Sequence, residues 1–229
     1  MNGKTPQGFT LVEIAVVLVI VGLLLGGLLL PLASQVDNSR ISETREMEQA
    51  VIDALLGYAM LNGRLPCPDT NAPPNDDGLE NAPCSGAVSS GWLPWATLGL
   101  GETKDAWGQP VRYSVNTSFT TVSALASTLG DTSTWASWED DLHVVASGSD
   151  CVASPPVGNH LAKNVPVVLV SGGKPDAISG SDDTENADGD NCFVDREIST
   201  VGGQEFNDLV IWISPNLLYS RLVEAGKLP

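Results

Sequence analysis

Residues Ile14 to Leu30 form a run without a single charged side chain, and one acid, Glu13, stands at its front. A run of this length has few folded solutions. Phe9 to Leu30 is 22 residues, roughly 33 Å of helix at about 1.5 Å per residue, against a bilayer core of about 30 Å. A carboxylate within a spanning helix costs about 2.5 to 3.5 kcal/mol on insertion scales, so an acid there needs a partner and a purpose. A plain single-span anchor accounts for the run but leaves Glu13 unexplained. An ordinary secretory signal ends its apolar core at a small-residue cleavage site, and nothing of the A-x-A kind follows Leu30.

Ahead of the run, Met1 to Gly8 is a short hydrophilic leader with one basic residue, Lys4, and its Gly8-Phe9 junction is followed by Thr10-Leu11-Val12-Glu13. This junction resembles the cleavage site of type IV prepilins and type II secretion pseudopilins. The resemblance implies that prepilin peptidase of the bacterial inner membrane cuts after Gly8 and methylates the new amino-terminal Phe9. Glu13 then stands fifth in the mature chain, within reach of the amino terminus of a neighbouring pilin or pseudopilin subunit. That terminus is cationic below its ordinary pKa of about 8. A buried ion pair is weak evidence for stability, but it serves as a register device, because one axial stagger alone brings the two charges together. The family also implies a single pass through the inner membrane with the head in the periplasm, then a place in a periplasmic pseudopilus or a cell-surface pilus.

The formal net charge of −17 repels phosphates and lacks the basic stripe of a nucleic-acid reader, so nucleic acid is excluded as a partner. After the anchor about 200 residues remain, enough for one well-packed domain. Four cysteines, Cys67, Cys84, Cys151 and Cys192, lie on the same side of the apolar run. An even count in an exported head reads as disulfides. Of the three pairings the sequential one, Cys67 with Cys84 and Cys151 with Cys192, is favoured because each bond closes a Gly-, Pro- and Asp-rich loop. Zinc is disfavoured by the absence of a C-x-x-C spacing.

Past Pro31, residues Ile41, Met47, Val51, Ala54, Leu55 and Tyr58 fall near helical spacing, with Arg40, Glu43, Arg45, Glu46 and Glu48 on other faces. One helix from Phe9 to about Leu61 is expected, kinked or locally unwound at Pro31 and stopped by Asn62-Gly63 and Pro66. The segment from Leu65 to about Gly108 reads as loop, with Trp92, Pro94, Trp95 and Leu98 as a small apolar cluster. Asp105-Ala106-Trp107-Gly108-Gln109-Pro110, leading into Val111 to Val115, resembles the turn that opens the sheet in pseudopilins. Leu142 to Ala146, Val165 to Val170 and Leu209 to Ile213 read as strands, Ser118 to Leu129 as a short helix, and Pro215 to Ala225 as a terminal helix with Leu217, Leu218, Leu222 and Val223 facing the sheet. The expected fold is α+β and pilin-like: a leader over 1–8, a long helix over 9–62 whose 9–30 part is the anchor, and an antiparallel sheet head over 63–229 with long disulfide-tied loops.

Asp182 to Glu197 holds seven acids against one base, Arg196. Hard cations take six to eight oxygens from such loops, and some pseudopilins carry a calcium-binding acidic loop, which this segment resembles. Asp182, Asp183, Glu185, Asp188, Asp190 and Asp195 are therefore candidate calcium ligands, and a solvated acidic loop without metal is the alternative. For enzymatic chemistry, no G-x-S-x-G, H-E-x-x-H or phosphate-binding glycine loop is present. His143 is placed on a strand as a structural residue and His160 in a solvent-exposed loop, so no catalytic residue is assigned. The expected function is that of a minor pilin or pseudopilin. The alternatives are a tip adhesin or binding module on such a filament, or a membrane-anchored periplasmic enzyme. Glu13 weighs against a strict tip subunit, because the family's tip pseudopilin typically lacks that acid.

Overall fold

The computed structural model describes residues 8–71, 73, 77–122, 129, 142–151, 160–175 and 180–228, and the side chains of residue 25 and residues 27–33 lie outside that description. The leader over 1–7, and residues 123–128 of the helix expected from Ser118, fall outside it as well. The start of that stretch forms a 3₁₀ turn, Thr117–Phe119.

Helix α1, Leu11–Asn62, runs for 52 residues. It begins just after Thr10, whose hydroxyl accepts from the Glu13 amide at 3.3 Å and so satisfies one of the free donors of the first turn. The helix continues through position 31 without the local unwinding expected at the proline. It ends at Gly63, whose φ of 67° is cheap for glycine, and the Gly63 amide still donates to the Ala59 carbonyl at 2.8 Å. Among the described residues no helix is long and apolar enough to cross a membrane. The chain divides into two compact units, Met1–Arg40 and Ile41–Pro229.

The second unit is α+β, with more strands than the sequence suggests. Strands β1 (Val88–Trp92), β2 (Arg112–Asn116), β5 (Val167–Ser171) and β7 (Leu209–Ile213) form an antiparallel sheet in the order β1-β2-β5-β7. A second sheet joins β4 (His160–Val165), β3 (Leu142–Val145) and β6 (Cys192–Val194), with β3 antiparallel to β4 and parallel to β6. Strands β1, β4 and β6 lie where loop was expected. Two further α-helices among the described residues are α2 (Ser181–Glu185) and α3 (Pro215–Glu224).

The alternation of side chains along β5 dictates the layering. Val167 and Leu169 point into a core with Val51, Leu55 and Ala59 of α1, Tyr113 and Val115 of β2, Ile213, and Leu218 and Leu222 of α3. Val168 and Val170 point the other way, onto Leu142, Val144, Val165 and Phe193 of the second sheet. A strand covered on both faces reads as a continuous apolar run, which is what Val167-Val168-Leu169-Val170 is. Of the four α3 residues expected to face the sheet, Leu218 and Leu222 are buried and Leu217 and Val223 are exposed. Trp95 and Leu98 pack on the main core as expected.

The loops are tied covalently and by ion pairs. Disulfides join Cys67 to Cys84 and Cys151 to Cys192. Glu80 accepts two bonds from Arg64, at 2.8 and 2.6 Å, one from the Cys67 amide at 2.9 Å and one from the Tyr58 hydroxyl at 3.1 Å. The first loop is thereby held to the end of α1, and the Tyr113 hydroxyl anchors it to the sheet through the Pro66 carbonyl at 2.8 Å.

Leu55 is fully buried in this core, whereas Leu61, two turns later, is 79% exposed. Leu55→Ala should cost about 2 to 5 kcal/mol through lost burial and a residual cavity, and Leu61→Ala no more than about 0.5 kcal/mol. Urea unfolding of the two variants checks this; equal midpoints would mean that the back half of α1 does not pack on the sheet.

Candidate functional site

Three groups of residues carry chemistry, and the first is the amino-terminal segment. Gly8 and Phe9 are exposed, Phe9 at 78%, and Glu13 is exposed on the first turn of α1. An acid in the first turn of a helix interacts favourably with the amide dipoles there. Thr10 followed by Glu13 also has the spacing of a capping box, so the motif shapes the helix start as well as the cleavage sequence.

The second is the acidic segment, whose members have diverged in role. Asp182 pairs with Arg196 at 2.6 Å and accepts from the Gly148 amide at 3.1 Å. Asp183, buried, accepts from the amides of Gly180, Asn207 and Asp208. Asp195 lies on the far side of β6, where burial raises its pKa and Arg45 opposes the rise. Only Glu185, Asp188 and Asp190 converge, with one ligand atom of each within 4.8 Å of the others. Burial first, and then Asp190, Asp188 and Asp182, push the Glu185 carboxyl up. For Asp190, burial and Asp188 outweigh the opposing bond from the Cys192 amide. Of the six candidate calcium ligands, three are thus brought together, Asp182 and Asp183 are bonded elsewhere, and Asp195 lines a different cleft.

The third group was not visible as a site in the sequence. Glu48, placed with the solvent-facing charges, is 2% exposed. Its position follows from the buried stripe of α1, since Thr44, Glu48, Ile52 and Leu55 succeed one another at helical spacing. Extending the apolar stripe backwards by four and eight residues from Ile52 would have found it. One turn before, the Thr44 hydroxyl accepts from the Ala106 amide at 3.1 Å. Asp105 organises that turn, accepting from the amides of Trp107 and Gln109 at 2.9 and 2.8 Å and from the Ser171 hydroxyl at 2.7 Å. Glu48 faces a cleft of about 360 Å³ that is also lined by Arg45, Asp195 and Asp208. Burial raises the Glu48 carboxyl to about 7, with Arg45 opposing the rise and Asp105 and Asp195 adding to it. Asp208 is raised to about 7 as well, by burial against a stabilising bond from Asn186, with Asp183 adding and Arg112 opposing.

The histidines form no catalytic arrangement among the described residues. His143 is buried on β3, neither ring nitrogen has a hydrogen-bond partner there, and burial, then His160 and Lys163, lower its pKa to about 4. His160 opens β4, half-buried, with its ring centroid 5.4 Å from that of His143, in place of the exposed loop position expected.

Residues 4–29 match the family model of the prokaryotic N-terminal methylation motif, the processing signal of type IV prepilins and pseudopilins. No curated protein and no solved structure matches the chain.

Glu48 supplies a pH test. Its folded pKa of about 7 exceeds the ordinary 4.5, so between these values the folded chain holds a proton that the unfolded chain has released. The stability from this group is complete below the unfolded pKa and is lost as pH rises through the folded one. Glutamine resembles the protonated acid and cannot ionise. The stability difference between Glu48→Gln and the parent should therefore move in favour of the variant from pH 5 to pH 8, by on the order of 1 to 3 kcal/mol. Denaturant unfolding at each pH measures it, and parallel curves for the two proteins would refute an ionising Glu48 in the folded state.

Proposed function

We propose that this chain, which carries the prepilin processing signal, is a minor pilin or pseudopilin: a structural subunit cut after Gly8, methylated on Phe9 and assembled through the front of α1 into a type IV pilus or type II secretion pseudopilus. The observation that carries this reading is the match over residues 4–29, together with a helix that starts two residues beyond the cut and continues to Asn62. The apolar stretch from Phe9 to Leu30 holds the subunit in the inner membrane before assembly. Glu13 then meets the methylated amino terminus of a neighbour, which offsets the cost of burying a carboxylate among apolar helices. The α+β head with two disulfides is suited to an oxidising compartment outside the cytoplasm. The divided roles of the acidic segment support a structural rather than catalytic head.

Amino-terminal peptide mass spectrometry of the membrane-extracted protein should find N-methylated Phe9 as the first residue. An intact Met1 in cells that possess the peptidase, or a cut beyond Leu30, would sink the reading. Glu13→Ala should insert normally, since the loss of a charge makes the segment more apolar, yet be depleted from sheared filaments. Wild-type amounts of the variant in those filaments would remove the role given to Glu13.

A further inference from the structure

The cleft beside Glu48 has the composition of a receptor for a long basic side chain. Glu48, in its lining, is almost wholly buried, and its Oε1 has no hydrogen-bond partner among the described residues. A buried oxygen left in that state costs free energy until a donor reaches it. Asp195 and Asp208 add two further carboxylates to the lining, and among the described residues no ion pair joins any of the three acids to a base. The lining also holds apolar residues, Ile198 and Leu209 to Ile211 at the start of edge strand β7. A lining of carboxylates and aliphatic side chains matches a lysine or arginine, whose methylene stem packs on apolar surface while its head stays with charge.

We propose that this cleft receives the ammonium or guanidinium side chain of a partner protein and, on the assembly reading above, of a neighbouring subunit. A single metal ion fits less well. A calcium ion needs several oxygens within about 2.6 Å of one point. The acid trio that converges in this way is Glu185, Asp188 and Asp190, outside the cleft. The cleft itself is about 360 Å³ and has Arg45 and Arg196 in its lining; both repel an incoming cation, a divalent ion more strongly than a monovalent one, and Arg196 is already paired with Asp182. The raised pKa of Glu48 adds a linkage: a cation arriving beside the carboxyl displaces its proton, so binding strengthens as pH rises. The charges facing Glu48 are Arg45 from α1, Asp105 from the turn before β2 and Asp195 from beyond β6.

Calorimetry on the full chain in detergent tests this with four probes: Nα-acetyl-lysine amide, Nα-acetyl-arginine amide, the uncharged Nα-acetyl-norleucine amide and calcium chloride. The two basic amides should bind in the millimolar range with release of protons at pH 7, and the norleucine amide should not. Glu48→Gln should weaken the basic amides about tenfold or more, as expected for losing a charged hydrogen-bond partner, and Asp195→Asn should weaken them to a smaller extent. Equal binding of the norleucine amide, binding of the basic amides unchanged by Glu48→Gln, or no binding of either basic amide would overturn the proposal. Calcium binding that Glu48→Gln abolishes, without binding of the amides, would replace it with a metal site. The choice of a subunit as partner rests on the assembly reading, and the two fail separately: an unprocessed Met1 would remove the subunit and leave the amide binding in place.

Discussion

Strand β5 is the constraint on which the head depends, because it is buried on both faces and its backbone is paired on both edges. Its amides and carbonyls bond to β2 on one side and β7 on the other, so no main-chain polar group of the strand is left to the apolar layers above and below. With the pairing fixed, the period of two places Val167 and Leu169 under α1 and Val168 and Val170 under the second sheet. A slip of one residue would exchange those two sets. Ser171 closes the strand and is fully buried, and its hydroxyl donates to Asp105. The end of β5 is thereby bound to the turn before β2, and the same turn donates from Ala106 to Thr44 of α1. The turn around Asp105 thus joins the first sheet to α1.

The residues that declared themselves in the sequence are those whose own pattern sufficed. The β-branched runs of β3, β5 and β7 could be read within a few residues, as could the end of α1 at Gly63 and the start of α3 at Pro215. Strand β4 escaped because His160-Leu161-Ala162-Lys163-Asn164-Val165 is half polar and alternates between intermediate and exposed positions until its last residue; it pairs with β3 by register, not by its own hydrophobicity. Strand β6 is three residues long inside an acidic stretch, and what holds it is Asn186, whose side chain bonds both the amide and the carbonyl of Val194. Strand β1, Val-Ser-Ser-Gly-Trp, has weak β propensity and follows a Pro-rich loop. Its Gly91 is required by contact, because a Cβ there would lie 2.5 Å from the Asp69 carbonyl oxygen.

The acidic segment shows why a count of carboxylates is a poor guide to a metal. Side chains adjacent in sequence were separated by β6 and by short-range bonding, so that Asp183 became a cap for backbone amides, Asp182 the partner of Arg196, and Asp195 a member of another cleft. Arg196 in turn lies over the Phe206 ring at 4.6 Å and donates to the Glu205 carbonyl at 3.0 Å. The single base of the segment is thus occupied in holding the loop before β7 to the region after β6. What remains for a cation at Glu185, Asp188 and Asp190 is a smaller and more exposed group than the sequence offered.

Glu48 follows the opposite logic. Helical spacing places it on the buried face, and the sequence around it is consistent with that face at every other position, from Thr44, which is hydrogen-bonded, to Leu55, which is apolar. An unpartnered carboxylate in such a row departs from the rule that buried polar groups are satisfied, and an apolar residue of similar size would stabilise the free head more. Departures of this kind concentrate where a protein does something besides fold. The departure here is local, since Asp105 close by is bonded to its own turn and to Ser171 while Glu48 and Asp195 line the cleft without side-chain hydrogen bonds or ion pairs among the described residues. Within the head, α1 therefore presents a buried carboxyl whose Oε1 has no hydrogen-bond partner among the described residues, with Arg45 of the same helix lining the same cleft.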